Sequence, residues 1–286
     1  MATTAEMRET AAAGRNGRGR APVKAKNAFA CIDLPVRRTE KPRDEGLNWF
    51  IDWGWDLDRV EGVLESVGQH IDVVKMPALS LRLLDRNFLK KKLELYARHD
   101  VKAFPGGMLT EAALLTRRVE DFLAEARDLG ITVIEVSESE VRLVPETKLR
   151  LIEMAAREGF KVLGELGPHH AEQPFVPGEV IRESKACLEA GAWKIILEGE
   201  VLNLMKPWED AGAEGKICQI VEAIGVGEVF FEMMGGVELV NWAVTKFGPD
   251  INVGNVGHDQ AGVMRVEHIR RGIRGGASWY GRFASL

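Results

Sequence analysis

The 286-residue chain has little cysteine, no long apolar run and no glycine-rich phosphate loop after its first strand. Cys31, Cys187 and Cys218 show neither CxxC nor metal-ligand spacing. That excludes a thiolate zinc site, and a disulfide framework is not expected; buried inert thiols in a cytoplasmic protein are. No stretch approaches the ~20 consecutive apolar residues that span a bilayer, and the N-terminal region lacks the apolar segment of a secretory signal. The formal net charge of −5 leaves nucleic acid and anionic membranes without an electrostatic footprint. The partner expected instead is a small anionic molecule, and a homo-oligomer is compatible with the composition.

Residues 1–30 carry six basic and two acidic side chains and no hydrophobic periodicity. We read residues 1–40 as a flexible basic tail and lead-in, and residues 41–286 as one folded domain. Within that domain, short β-branched runs alternate with amphipathic segments. The strand candidates are "WFIDW", "IDVVK", "VKAFPGG", "TVIEVS", "KVLGEL", "WKIILEG", "EVFFEM" and "INVGN". Helical spacing is expected over 56–67, 82–99, 111–129, 146–158, 178–190, 208–224, 237–246 and 258–271. Strands alternating with helices imply a parallel sheet, and eight such units fit a (β/α)8 TIM barrel of ~250 residues. A doubly wound open sheet would place a glycine-rich loop after its first strand, where this chain has "IDWGWDLD".

Parallel barrels carry their chemistry at the C-terminal ends of the strands. There the sequence sets Asp52, Lys75, Glu135 with Ser137, Glu165, Glu198, Glu200, Glu232, Asn252 and Asn255. Carboxylates converging on one mouth repel when ionised, and a hard divalent cation such as Mg²⁺ relieves that. Asp52, Glu135, Glu165, Glu198 and Glu232 are therefore the candidate metal ligands. Any one of them could instead cap a helix or pair with a base. "NVGNVGHD" and "RRGIRGG" supply candidate phosphate contacts, including Asn255, Arg270, Arg271 and Arg274. His169 and His170 follow strand five, and a loop histidine there could act as acid or base. Trp53 and Trp55 either wall the pocket or pack beneath their loop.

At these residues the chain resembles the phosphosulfolactate synthases. The likeness rests on "KPR" (Lys41–Arg43), "ID.G" (Asp52, Gly54), "IDVVK", "PGG" with Glu111, "IEVS", "GELG", "FE", "FGPDINVGNV" and "IRRGIRG". The resemblance implies a (β/α)8 lyase that adds sulfite to phosphoenolpyruvate with Mg²⁺. On that reading Lys75 and Glu165 are catalytic, with His169 of this chain's own loop as a further candidate proton donor, and Arg43, Ser137, Asn255 and Arg274 are substrate or phosphate contacts. Departures stand beside it. The chain has "PALS" where the family has "GWGTS", and "GELGPHH" where a lysine follows "SEVG". It has Glu200 where an arginine follows strand six, "MM" where "AP" follows "FE", and "IEVSES" for "EISDG". Lysine or asparagine stands in the family where Trp53 stands here. Reversing one charge at close range changes an interaction of about 4 kcal/mol, so two alternatives remain open. One is a same-fold enzyme with a less anionic substrate; the other is a non-catalytic barrel of the plant heat-stress-associated type.

Overall fold

The computed structural model describes residues 27–166, 175–234, 236–257 and 259–273. The chain divides into a unit ending at Leu34 and a unit beginning at Pro35. In the first, residues 27–33 are exposed turns. The second begins earlier than the expected boundary at Lys41, because the lead-in is already bonded into the barrel. Val36 donates its N–H to Arg271 O, and the buried Arg38 guanidinium reaches Gly46 O, Pro249 O and Asp250.

The second unit is a (β/α)8 barrel. Its strands are β1 (Trp49–Ile51), β2 (Val73–Met76), β3 (Lys102–Pro105), β4 (Val133–Val136), β5 (Lys161–Leu166), β6 (Ala192–Leu197), β7 (Val229–Glu232) and β8 (Asn252–Gly254). The helices are α1 (Leu57–Val67), α2 (Arg86–Arg98), α3 (Gly107–Leu115), α4 (Val119–Leu129), α5 (Pro145–Arg157), α6 (Pro177–Glu189), α7 (Gly199–Met205), α8 (Ala211–Ile224), α9 (Glu238–Phe247) and α10 (Gln260–Arg270). β1–β2–β3 and β4 through β8 form parallel ladders. β1 closes onto the β8 end through a bridge between Asn48 and Val253 and through Val256 N–H to Trp49 O at 3.1 Å. β3 and β4 lie side by side without a ladder among the described residues.

The helices begin and end where local chemistry dictates. Asp56, Asp85, Asp210 and Asp259 cap α1, α2, α8 and α10 by accepting first-turn N–H groups, while Pro145 and Pro177 open α5 and α6. The single helix expected over 111–129 is two, broken where Arg117 turns left-handed at φ 58°. α7 was not expected; it is short and capped by Glu198.

Side-chain alternation divides each strand between two cores. Outward residues such as Phe50, Val74, Ile134 and Phe231 pack against the helices. Inward residues fill the barrel with a layer containing Trp49, Val73, Phe104, Val133, Leu163, Ile196 and Phe230. Trp49 lies at its centre, its ring 4.7 Å from Phe230 and 5.8 Å from Phe104. Two residues further along four strands, the same inward face carries Lys75, Glu135, Glu165 and Glu232.

Candidate active site

That next layer is polar and closes the apolar barrel at its C-terminal mouth. The Lys75 ammonium lies 3.2 Å from Glu135 and 3.2 Å from Glu232 Oε1. Glu165 completes the layer, near enough to Glu135 and Glu232 for both carboxylates to act on it. Burial opposes the charge on Lys75, but Glu135, Glu232 and Glu165 together outweigh it and hold its pKa above the ordinary lysine value. Burial also raises Glu135, against the pull of Lys75, and raises Glu165 well above the usual carboxylate range, with Glu135 and Glu232 adding to the effect. The layer therefore sets a cation beside carboxyls that resist ionisation in a desolvated place, an arrangement suited to general acid–base work.

Glu232 is held by three donors: Lys75 at 3.2 Å, Asn255 Nδ2 at 2.9 Å and Gly199 N–H at 3.2 Å. Glu165 is supported from behind by the buried Lys148. Its ammonium bonds the Glu165 carbonyl oxygen at 2.7 Å while pairing with Glu183 and Glu138 at 2.7 and 3.0 Å. Lys148 belongs to the buried stripe of α5 with Leu151, Ile152 and Ala155, a periodicity that marks an inward lysine in the sequence.

Several expected roles are corrected. Asp52 does not enter the cluster. Alternation sends Trp49 and Ile51 inward and Phe50 and Asp52 outward, and the Asp52 carboxylate accepts from Lys92 at 2.8 Å and Tyr96 at 2.9 Å. Its other oxygen accepts the N–H groups of Gly54 and Trp55 at 2.7 and 2.8 Å, with Gly54 at φ 115° allowing that tight loop. Trp55 consequently packs on Phe50 under Arg59, while Trp53 is left 60% exposed at the mouth. Glu198 caps α7 through Val201 N–H. The Ser137 hydroxyl donates to Glu111, whose carboxylate also takes the N–H groups of Ser139, Glu140 and Val141 and so pins the β4–α5 loop. Glu111 is a site-shaping residue that appeared in the sequence only as part of a motif.

Arg43 lies at the opposite end of the barrel. It precedes β1 and binds Asp72, just before β2, through two bonds of 2.9 Å. The C-terminal arginines are there too, because α10 runs back from the mouth after β8. Arg270 donates to Pro249 O, Ile251 O, Leu47 O and Asn48 Oδ1, and Arg271 pairs with Glu267. Asn252, at the start of β8, likewise bonds Leu47 N–H, Gly227 O and Val229 O at that end. His169, His170 and Arg274 lie outside the described residues.

Among the described residues no three His, Cys, Asp or Glu side chains gather at metal-binding separations. Magnesium, however, usually takes only one or two protein carboxylates and completes its octahedron with water and substrate oxygens. Glu135 and Glu165 fit that mode. Burial opposes the charge of both, a cost that a bound cation would offset, and Glu135 Oε2 is buried without a hydrogen bond, 3.2 Å from Lys75. Asp52, Glu198 and Glu232 are committed to the partners described above. A separate groove of about 430 Å³, lined by Leu81, Leu89, Phe122 and Leu129, shares no residue with the cluster.

Residues 36–276 match the family described as (2R)-phospho-3-sulfolactate synthase (ComA). The phosphosulfolactate synthase of Methanothermobacter thermautotrophicus is 32% identical over 257 residues, covering 87% of this chain and 96% of that protein. The protein HEAT-STRESS-ASSOCIATED 32 of Arabidopsis thaliana is 25% identical over 260 residues, covering 82% of this chain and 88% of that one. Among solved structures, orotidine 5'-phosphate decarboxylase from Pyrococcus horikoshii matches with a TM-score of 0.50 at 15% identity, over 78% of this chain and 99% of that chain. This last likeness is one of fold alone.

Proposed function

The chain belongs to the phosphosulfolactate synthase family, a lyase-type enzyme family, and we propose that it adds sulfite to phosphoenolpyruvate in a Mg²⁺-dependent reaction. The observation that carries this reading is the Lys75 ammonium seated between Glu135 and Glu232 beside the buried Glu165. In the reaction the sulfur lone pair forms a bond to the methylene carbon of the acceptor. The electrons of the C=C bond move toward the substrate carboxylate, and a proton then arrives at the carbon bearing the phosphate ester. Nothing is oxidised and no group leaves.

Glu135 and Glu165 would hold the Mg²⁺, which supplies positive charge to the substrate carboxylate as negative charge builds there. Lys75, on the inward face at the mouth, stabilises the same developing charge. It gives its proton to carbon more readily once the carboxylates that hold that proton are neutralised. His169 is the alternative donor, from the β5–α6 connection.

A second reading, a same-fold enzyme with a less anionic substrate, is favoured by the rim. Trp53, Leu83, Val144 and Met234 are exposed in connections that follow strands, and Leu115 and Leu204 are exposed near the C-terminal ends of α3 and α7. Apolar side chains exposed after the strands suit a partner or substrate with apolar surface. Both readings are tested by ³¹P NMR of the protein with Mg²⁺ and phosphoenolpyruvate, with and without sulfite. A new phosphate-ester resonance requiring protein and sulfite together establishes the addition. An unchanged spectrum from folded, Mg²⁺-binding protein removes it and leaves the second reading.

A further inference from the structure

Asn255 stands just beyond β8 with φ 52°, in the left-handed region that asparagine tolerates better than most residues. Its amide spans two partners. Oδ1 accepts from Trp49 Nε1 at 2.7 Å and Nδ2 donates to Glu232 Oε1 at 2.9 Å. The indole N–H can only donate, so it fixes which end of the amide faces which way. The oxygen must meet Trp49 and the NH₂ group must meet Glu232. Trp49 in turn lies flat across β8, and Gly254 makes room for it: a Cβ there would sit 2.1 Å from the indole. The same ring lies 5.6 Å from the Lys75 ammonium. "WFI" and "GN", more than two hundred residues apart, thus form one unit that ends on Glu232 and Lys75.

We propose that Asn255 is a positioning residue: its amide, oriented by Trp49, fixes Glu232 as the counter-ion of Lys75 and so aims the ammonium at the mouth. This replaces the expectation that Asn255 binds phosphate. It deepens the proposed reaction and rests on it for its kinetic arm only. Glu232 Oε1 lies within reach of two donors, one from Lys75 and one from Asn255. Without the amide donor Glu232 keeps only Lys75 and the Gly199 N–H, and the Oε1 that faces Lys75 loses the bond that sets its direction.

Asn255→Asp and Asn255→Gly separate this role from a turn role, because both residues accept a positive φ. Asp reverses the donor and sets two carboxylates face to face; Gly removes the donor without adding charge. In steady-state assays of Mg²⁺-dependent addition of sulfite to phosphoenolpyruvate, kcat should fall about tenfold to a hundredfold in N255D, and less in N255G. KM for phosphoenolpyruvate should stay near the wild-type value. In thermal melts of the purified variants, N255D should melt several degrees below N255G.

A turn role alone predicts wild-type kcat in both variants; that result overturns the proposal. A raised KM with unchanged kcat also overturns it, in favour of phosphate binding. If wild-type protein shows no turnover, the proposed reaction fails; N255D melting at or above N255G then overturns the contact with Glu232 and the positioning role with it.

Discussion

Replacing Lys75 with methionine keeps the length and apolar stem of the side chain and deletes one cation from a layer holding Glu135, Glu165 and Glu232. At 3.2 Å from each of two carboxylates, the lost attraction is about 5 kcal/mol per pair at an effective dielectric near 20. Much of that gross figure offsets the desolvation of the ammonium itself, so the net loss is on the order of 3–5 kcal/mol, as for other buried pairs stripped of one partner. For a chain of this size about 2 °C accompanies each kcal/mol, giving a melting point lower by about 6–10 °C near neutral pH.

The loss has a pH signature. Glu135 and Glu165 titrate above the ordinary carboxylate value in the folded protein, so folding favours their protonated forms. The stability they contribute is complete below the unfolded value of 4.5 and drains away as pH rises toward their folded values. Without Lys75 that drain steepens, because the cation opposing it is gone. The gap between variant and wild type should therefore be small near about pH 4.5 and widen toward about pH 8. Differential scanning calorimetry across that range is the assay. A K75M protein melting within about 2 °C of wild type, with a gap independent of pH, would refute the claim that the ammonium offsets the buried carboxylates.

Glu165→Gln should abolish turnover and weaken Mg²⁺ binding in calorimetry while leaving the melting point equal or higher at neutral pH, since it removes a buried group that resists ionisation; retained turnover refutes the role given to Glu165. Asp52→Asn strands the Lys92 ammonium, which is fully buried. It should lower the melting point by about 6–10 °C with no change in Mg²⁺ affinity, and a large affinity loss would return Asp52 to the metal site. Arg43→Ala should destabilise the protein by breaking its two bonds to Asp72, and KM for phosphoenolpyruvate should not move; a raised KM would contradict its placement at the far end of the barrel.

Sequence periodicity made the barrel and its charged mouth legible, because strand alternation is a local property. Counting inward from Val73, Val133, Leu163 and Phe230 reaches Lys75, Glu135, Glu165 and Glu232 directly. The same count reads Asp52 as outward, and only the attraction of a strand-end carboxylate hid it. Lys92 was legible too, since it falls within the buried stripe of Leu89, Leu93 and Tyr96 on α2. Direction also mattered. An arginine-rich segment following β8 looks close to the mouth along the chain, yet α10 carries Arg270 and Arg271 to the other end of the barrel. What no local pattern shows is the meeting of Trp49, Gly254 and Asn255, because it depends on which strand closes against which.

That closure bears on when the molecule can assemble. β1 is three residues long, and much of what secures its approach comes from far downstream: Val253 N–H on Leu47 O and the Arg270 guanidinium on Leu47 O and Asn48 Oδ1. Emerging from a ribosome, β1 can pair with β2 early, but its other edge waits for β8 and α10, so part of its apolar surface stays unsheltered through most of synthesis. Contacts of such high sequence separation slow folding and leave hydrophobic surface open to aggregation. The buried arginine of α10 acts as the clasp that ends that interval.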